Sequence, residues 1–158
     1  MSAKPSARSA PKPSASACSN SVLRKASRRL GQMYDDALAP SGLRATQYSL
    51  LVNVQTLNAP TMRELADAIV MDLSALGHTL QPLARAGFVD MVPDERDRRA
   101  KRLHLTPAGE AKLKETGRLW QDMQARFERA FGAGKAAELR EVLAYLSSQD
   151  FQEAVSKA

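Results

Sequence analysis

The sequence predicts a mainly α fold that carries one small β-hairpin as a wing behind a helix-turn-helix. Three observations predict it. Apolar residues recur at steps of three and four along most of the chain, the period of an amphipathic helix. A single pair of short alternating runs, 88–92 and 101–105, flanks a charged turn and reads as a hairpin. Aromatic residues make up only 5% of the chain. A core built from Leu, Ala, Val and Met favours helices over stacked sheets.

After Met1, residues 2–17 are Ser, Ala, Pro and basic residues, and the stretch 1–17 has no acid and no periodicity. They read as a disordered basic tail, serving either to solubilise or as an arm that adds non-specific affinity for a polyanion. From about Asn20 to Leu38 a stripe of Leu23, Ala26, Leu30, Met33 and Ala37 marks the first helix, and Pro40, Ser41 and Gly42 end it. The second helix runs from about Ala45 to Leu57, with Tyr48, Leu51, Val52 and Val54 apolar.

Thr61 and Glu64 form a capping box for a short third helix ending near Ile69, with Leu65, Ala66 and Ile69 inward. Asp72 caps a fourth helix, which buries Leu73, Leu76, Leu80 and Leu83, tolerates Pro82 in its last turn and stops at Gly87. After the hairpin, Thr106 and Pro107 start a long fifth helix with a stripe of Trp120, Met123, Phe127 and Phe131. Gly132 and Gly134 interrupt it. A last helix from about Lys135 to Val155 turns Leu139, Val142, Leu143 and Leu146 inward.

The totals narrow the function. The chain has 158 residues, 44% of them hydrophobic and 25% charged, with a formal net charge of +6. That basic excess points to a polyanion partner. One cysteine cannot make an internal disulfide, so a reducing cytoplasm is the expected compartment. No apolar run is long enough for a membrane span, and the basic N-terminus, with no apolar core behind it, is not expected to be a secretory signal. Phosphate loops, CxxC pairs and His-Glu-x-x-His are all missing. The two histidines, His78 and His104, make no zinc set with a single cysteine. No catalytic residue, metal or cofactor is expected, and an enzyme has no support.

The wing carries the strongest signal. Asp94 to Arg102 holds five basic and three acidic residues. Arg96, Arg98, Arg99 and Lys101 are candidates for DNA contact, because a cation on a narrow turn can enter the minor groove. Asp97 is a candidate strut that holds the Arg side chains by pairing. On the fourth helix the outward residues are Ser74, Ala75, Gly77, His78 and Gln81. Ser74, His78, Thr79 and Gln81 are the candidates for bases or phosphates there.

With these residues in place the chain resembles the MarR (multiple antibiotic resistance regulator) family. The resemblance rests on Leu43-Arg44-Ala45-Thr46-Gln47-Tyr48, Thr61-Met62-Arg63-Glu64-Leu65-Ala66 and Leu83-Ala84-Arg85-Ala86-Gly87-Phe88-Val89. The wing and its return Leu103-His104-Leu105-Thr106-Pro107-Ala108-Gly109 complete it. It implies a homodimeric, cytoplasmic regulator, usually a repressor on a pseudo-palindromic site in double-stranded DNA. Residues 18–158 would form one domain, with 18–40 and 107–158 as a helical dimerisation region and 44–106 as the DNA-binding lobe. Small phenolic or aromatic carboxylate ligands release many such repressors from a cleft between those two parts. The candidates here are Arg24 and Arg28 for a carboxylate, with Met33, Tyr34 and Tyr48 as walls.

The chain departs from the family at Leu73, Gly77 and His78, where relatives often carry Arg or Thr. Fewer base contacts from that helix follow. Cys18 leaves two readings open: a bystander thiol, or the switch of a thiol-based redox regulator. A helix-turn-helix used only to bind another protein is the remaining alternative.

Overall fold

The computed structural model describes residues 18–95 and 97–158. The tail at 1–17 and Arg96 lie outside the described residues. The chain divides into two units, one ending at Met33 and the other spanning Tyr34–Ala158.

Seven helices and a hairpin are seen among the described residues, in the order α1 (Ser19–Leu38), α2 (Ala45–Thr56), α3 (Met62–Ala68), α4 (Leu73–Arg85), β1 (Val89–Pro93), β2 (Lys101–Leu105), α5 (Pro107–Phe131), α6 (Ala133–Leu146) and α7 (Gln149–Lys157). The mainly α reading with one hairpin holds. The first strand begins and ends one residue later than expected.

The core lies in the winged lobe. It joins Leu50, Leu51 and Val54 of α2, Leu65 of α3, Leu76, Leu80 and Leu83 of α4, Val89, Leu103, and Leu113 of α5. Each such buried side chain contributes about 1.5–3 kcal/mol. Helix α2 packs on α4, α5 and β2. That explains why Leu50 is buried while the expected Tyr48 and Val52 are only half-buried. A helix covered on several sides loses a clean stripe. Leu73, expected inward, is 42% exposed. It is the first residue of α4, ahead of the turn that meets the core.

Three successive helices end in one motif, in which the chain turns through a left-handed residue and two amides return to the last turn. At the end of α2, Asn58 N–H donates to Gln55 O and Ala59 N–H to Val54 O. At α3, Val70 N–H donates to Asp67 O and Met71 N–H to Ala66 O. At α4, Gly87 N–H donates to Ala84 O and Phe88 N–H to Leu83 O. The left-handed residues have φ of 53° (Asn58), 53° (Val70) and 74° (Gly87). Glycine and asparagine suit that region. A β-branched valine does not.

The hairpin is antiparallel, with Val89 opposite Leu105 and Pro93 opposite Lys101. Thr106 caps α5 by accepting from Gly109 N–H at 3.0 Å, and its hydroxyl donates to Gly87 O at 2.6 Å. Gly109 meets the hairpin so closely that an added Cβ would lie 2.0 Å from Phe88 O.

The C-terminal reading needs correction. Gly132 breaks the chain at φ 96°, but Gly134 lies inside α6. The expected last helix is two helices. Ser148 Oγ accepts from Phe151 N–H at 3.2 Å and so caps a new one. The apolar residues assigned inward there are largely uncovered: Val142 is 54% and Leu146 40% exposed, with Leu139 and Leu143 half-buried. On α5, Met123 is buried while Trp120 and Phe131 of the same expected stripe are exposed. On α1, Leu23 and Met33 are exposed and only Leu38 is buried. No helix among the described residues is long and apolar enough to cross a membrane.

Candidate nucleic-acid interface

The site begins at the N-terminus of α3. Thr61 N–H donates to Glu64 Oε2 at 2.7 Å and Glu64 N–H donates to Thr61 Oγ1 at 3.1 Å, a complete capping box. The backbone hydrogen bond to Thr61 is the main reason the Glu64 carboxyl is held below the usual range; the Thr61 hydroxyl contact and the Arg102 charge add to it. Helix α3 then turns through Val70 into α4, where Asp72 Oδ1 accepts from Ala75 N–H at 2.8 Å.

On α4, Ser74, His78 and Gln81 are exposed and free to meet a partner. Thr79 is half-buried, and its hydroxyl donates to Ala75 O at 2.9 Å. Its donor is therefore turned back onto its own helix.

The wing is braced at its base. Asp94, 5% exposed, pairs with Arg102 Nε through Oδ2. Its Oδ1 accepts from Asp97 N–H at 3.0 Å, and its own N–H donates to Ala100 O. The Arg102 guanidinium reaches further, donating to Ala59 O at 2.8 Å and lying 3.8 Å from Glu64. One arginine thus ties β2 to the segment that precedes α3. Asp97 Oδ1 accepts from Arg99 N–H at 3.0 Å, which tightens the turn. Among the described residues the side-chain pair in the wing is Asp94–Arg102, not a pair made by Asp97. Arg98, Arg99 and Lys101 are exposed, and none is ion-paired among the described residues. The Asp94–Arg102 brace escaped sequence reasoning. The clue in the letters was an acid and a base on either side of the charged turn; Arg102 pairs in register with Val92, so Asp94 reaches it diagonally.

The residues singled out for a small ligand fall in both units. Arg24, Arg28 and Met33 are exposed on the first. In the second, Tyr34 Oη donates to Gln124 Oε1 at 2.6 Å, Gln124 Nε2 donates to Glu128 at 2.9 Å, and Arg140 donates to the same oxygen at 3.1 Å. Tyr48 lies 6.3 Å from the Trp120 ring, centroid to centroid. Burial pushes both phenols up from their ordinary range. The Thr116 hydroxyl on α5 is fully buried and finds no hydrogen-bond partner among the described residues. Cys18 is exposed just ahead of α1. Among the described residues no cluster of His, Cys, Asp and Glu is placed to hold a metal ion.

A short helix, a tight turn, a second helix with an open polar face and a braced basic hairpin define a winged helix-turn-helix regulator. The MarR family model matches residues 43–101. The M. tuberculosis transcriptional regulator MosR, solved in complex with DNA, is 36% identical, covering 87% of this chain and 98% of that one with a TM-score of 0.76. The multiple antibiotic resistance protein MarR of Salmonella typhimurium is 27% identical over 113 residues, 71% of this chain and 78% of that protein. A mutant E. coli MarR complexed with operator DNA shares the fold at 23% identity and a TM-score of 0.73, covering 80% of this chain and 91% of that one. The chain belongs to the MarR family of transcriptional regulators.

Proposed function

We propose that this regulator binds double-stranded DNA as a homodimer and represses transcription until a small aromatic carboxylate or phenol releases it. The observation that carries the DNA reading is the wing. Its cations Arg98, Arg99 and Lys101 stand exposed and unpaired among the described residues, while the hairpin beneath them is held by Asp94 and Arg102. Helix α4 packs beside β1 and offers Ser74, His78 and Gln81 to a major groove, with the wing reaching the neighbouring minor groove. Arg96, next to these residues in the sequence, is a further proposed DNA contact. Thr79, whose hydroxyl donates to Ala75 O, has only acceptor capacity left to offer from its side chain. The relative MosR has been solved with DNA, which supports the reading.

The dimer rests on uncovered apolar side chains: Val22, Leu23 and Met33 on α1, and Phe131, Val142, Tyr145, Leu146 and Val155 toward the C-terminus. Residues 18–40 and 107–158 are the proposed dimerisation region, and 44–106 the DNA-binding lobe. Tyr34 and Tyr48 are the proposed aromatic contacts of the effector, with Met33, Arg24 and Arg28 as further candidates. A cytoplasmic location follows from this role.

Light scattering should give twice the chain mass. With six to ten phosphates neutralised, affinity for a duplex should fall by roughly 10³ to 10⁵ between about 50 and 200 mM salt. A monomer, or affinity that is flat with salt, would overturn the reading. Benzoate and phenol serve as effector probes, and release of bound duplex by either is the expected result.

A further inference from the structure

A groove of about 540 Å³ opens between the wing and the helix-turn-helix. Its apolar lining is Met62 of α3 and the exposed Leu73 at the start of α4. Its charged lining is mostly cationic, with Arg63 from α3, Arg99 and Lys101 from the wing, and Asp97 as the acid present. The charge of this lining is available. Arg63, Arg99 and Lys101 make no ion pair among the described residues, and Asp97 spends one carboxylate oxygen on the Arg99 amide. Asp67, one turn on from Arg63 in α3, makes no ion pair with it among the described residues, and Glu64 is engaged by Thr61 and lies near Arg102.

The place of the groove says what fills it. A winged helix-turn-helix puts its recognition helix in the major groove and its wing in the minor groove beside it. The ridge that separates those two grooves is one sugar–phosphate strand. That strand must pass between α4 and the wing. Apolar lining suits deoxyribose, and a cation beside it suits its phosphate.

We propose that this groove seats that sugar–phosphate strand, and that Arg63, a residue of neither the recognition helix nor the wing, is a phosphate ligand supplied by α3. The inference rests on the DNA-binding reading above. It assigns Arg63 a positioning role. A phosphate contact fixes register on the duplex and carries no sequence information.

The test is fluorescence anisotropy of the full chain on a labelled mixed-sequence 30-bp duplex over a series of NaCl concentrations. Arg63→Gln should lower the slope of log Kobs against log salt by about one and weaken binding about tenfold at moderate salt. Arg63→Lys should keep the wild-type slope, because a phosphate accepts a point charge. Arg126→Gln, an equal charge loss on exposed α5, should leave the slope unchanged once light scattering has shown the wild-type mass for this variant. The proposal is overturned if Arg63→Gln keeps the wild-type slope and affinity, if Arg126→Gln loses as much, or if Arg63→Lys behaves like Arg63→Gln. Wild-type protein that fails to bind the duplex at low salt overturns the DNA-binding reading itself, a result distinct from these.

Discussion

Gly109 shows how much a single missing side chain can decide. Helix α5 starts against the backbone of Phe88, and a methyl group there would sit 2.0 Å from a carbonyl oxygen. Neither backbone can retreat cheaply, because Thr106 ties the same junction to Gly87 and Gly109 at once. Gly109→Ala should therefore destabilise by about 1–3 kcal/mol despite alanine's better helix propensity. Urea denaturation measures it, and an unchanged midpoint would mean the junction can relax. The reverse holds at Thr116, whose buried hydroxyl has no partner among the described residues and costs about 1–3 kcal/mol. Gly109 was legible only as part of the family's run of residues. Thr116 was not legible at all, because an orphaned hydroxyl is a property of its surroundings.

At the scale of elements, the strongest local signals were those closed within four residues. Thr61 with Glu64, Asp72, and Thr106 with Pro107 each announce a helix start, and each does so in the structure. The turn between α3 and α4 is different. It uses the same left-handed closure as the ends of α2 and α4, but places Val70 where they place Asn58 and Gly87. Val70 is 74% exposed, so no packing rewards the strain. Val70→Asn should stabilise by up to about 1 kcal/mol, since a β-branched residue in this region costs roughly 1–2 kcal/mol. Thermal unfolding checks it, and a lowered midpoint would show that valine is held by something else.

The capping box makes a second element-scale prediction. The folded Glu64 carboxyl titrates below its unfolded value, so its contribution is present above the unfolded pKa and is lost as pH falls through the folded one. The stability gap between wild type and Glu64→Gln should thus be open near neutrality and shrink in acid. A gap independent of pH would remove the charge from the account.

At the scale of the whole molecule, the sequence period told which residues are apolar but not what covers them. Leu76, Leu80 and Leu83 find the core of their own lobe. Val142, Leu146 and Phe131 share the same spacing and remain uncovered. A helical stripe looks alike whether its cover is another part of the chain or a second copy. The break at Ser147–Ser148 was hidden for a related reason: serine is tolerated in helices and only its cap geometry reveals the stop. The wing brace joins residues eight apart, whose pairing depends on the hairpin register. The basic tip could be read because charge is visible in the letters. Its rigidity came from Asp94 and Arg102, which are visible only in the fold.

The central claim is that this braced tip enters DNA. Binding of the Arg98→Ala, Arg99→Ala double mutant to a duplex, measured beside the wild type at one moderate salt concentration, tests it most directly. The account predicts a loss of several kcal/mol, or on the order of a hundredfold or more in affinity, with the fold intact. Wild-type affinity in the double mutant would contradict it.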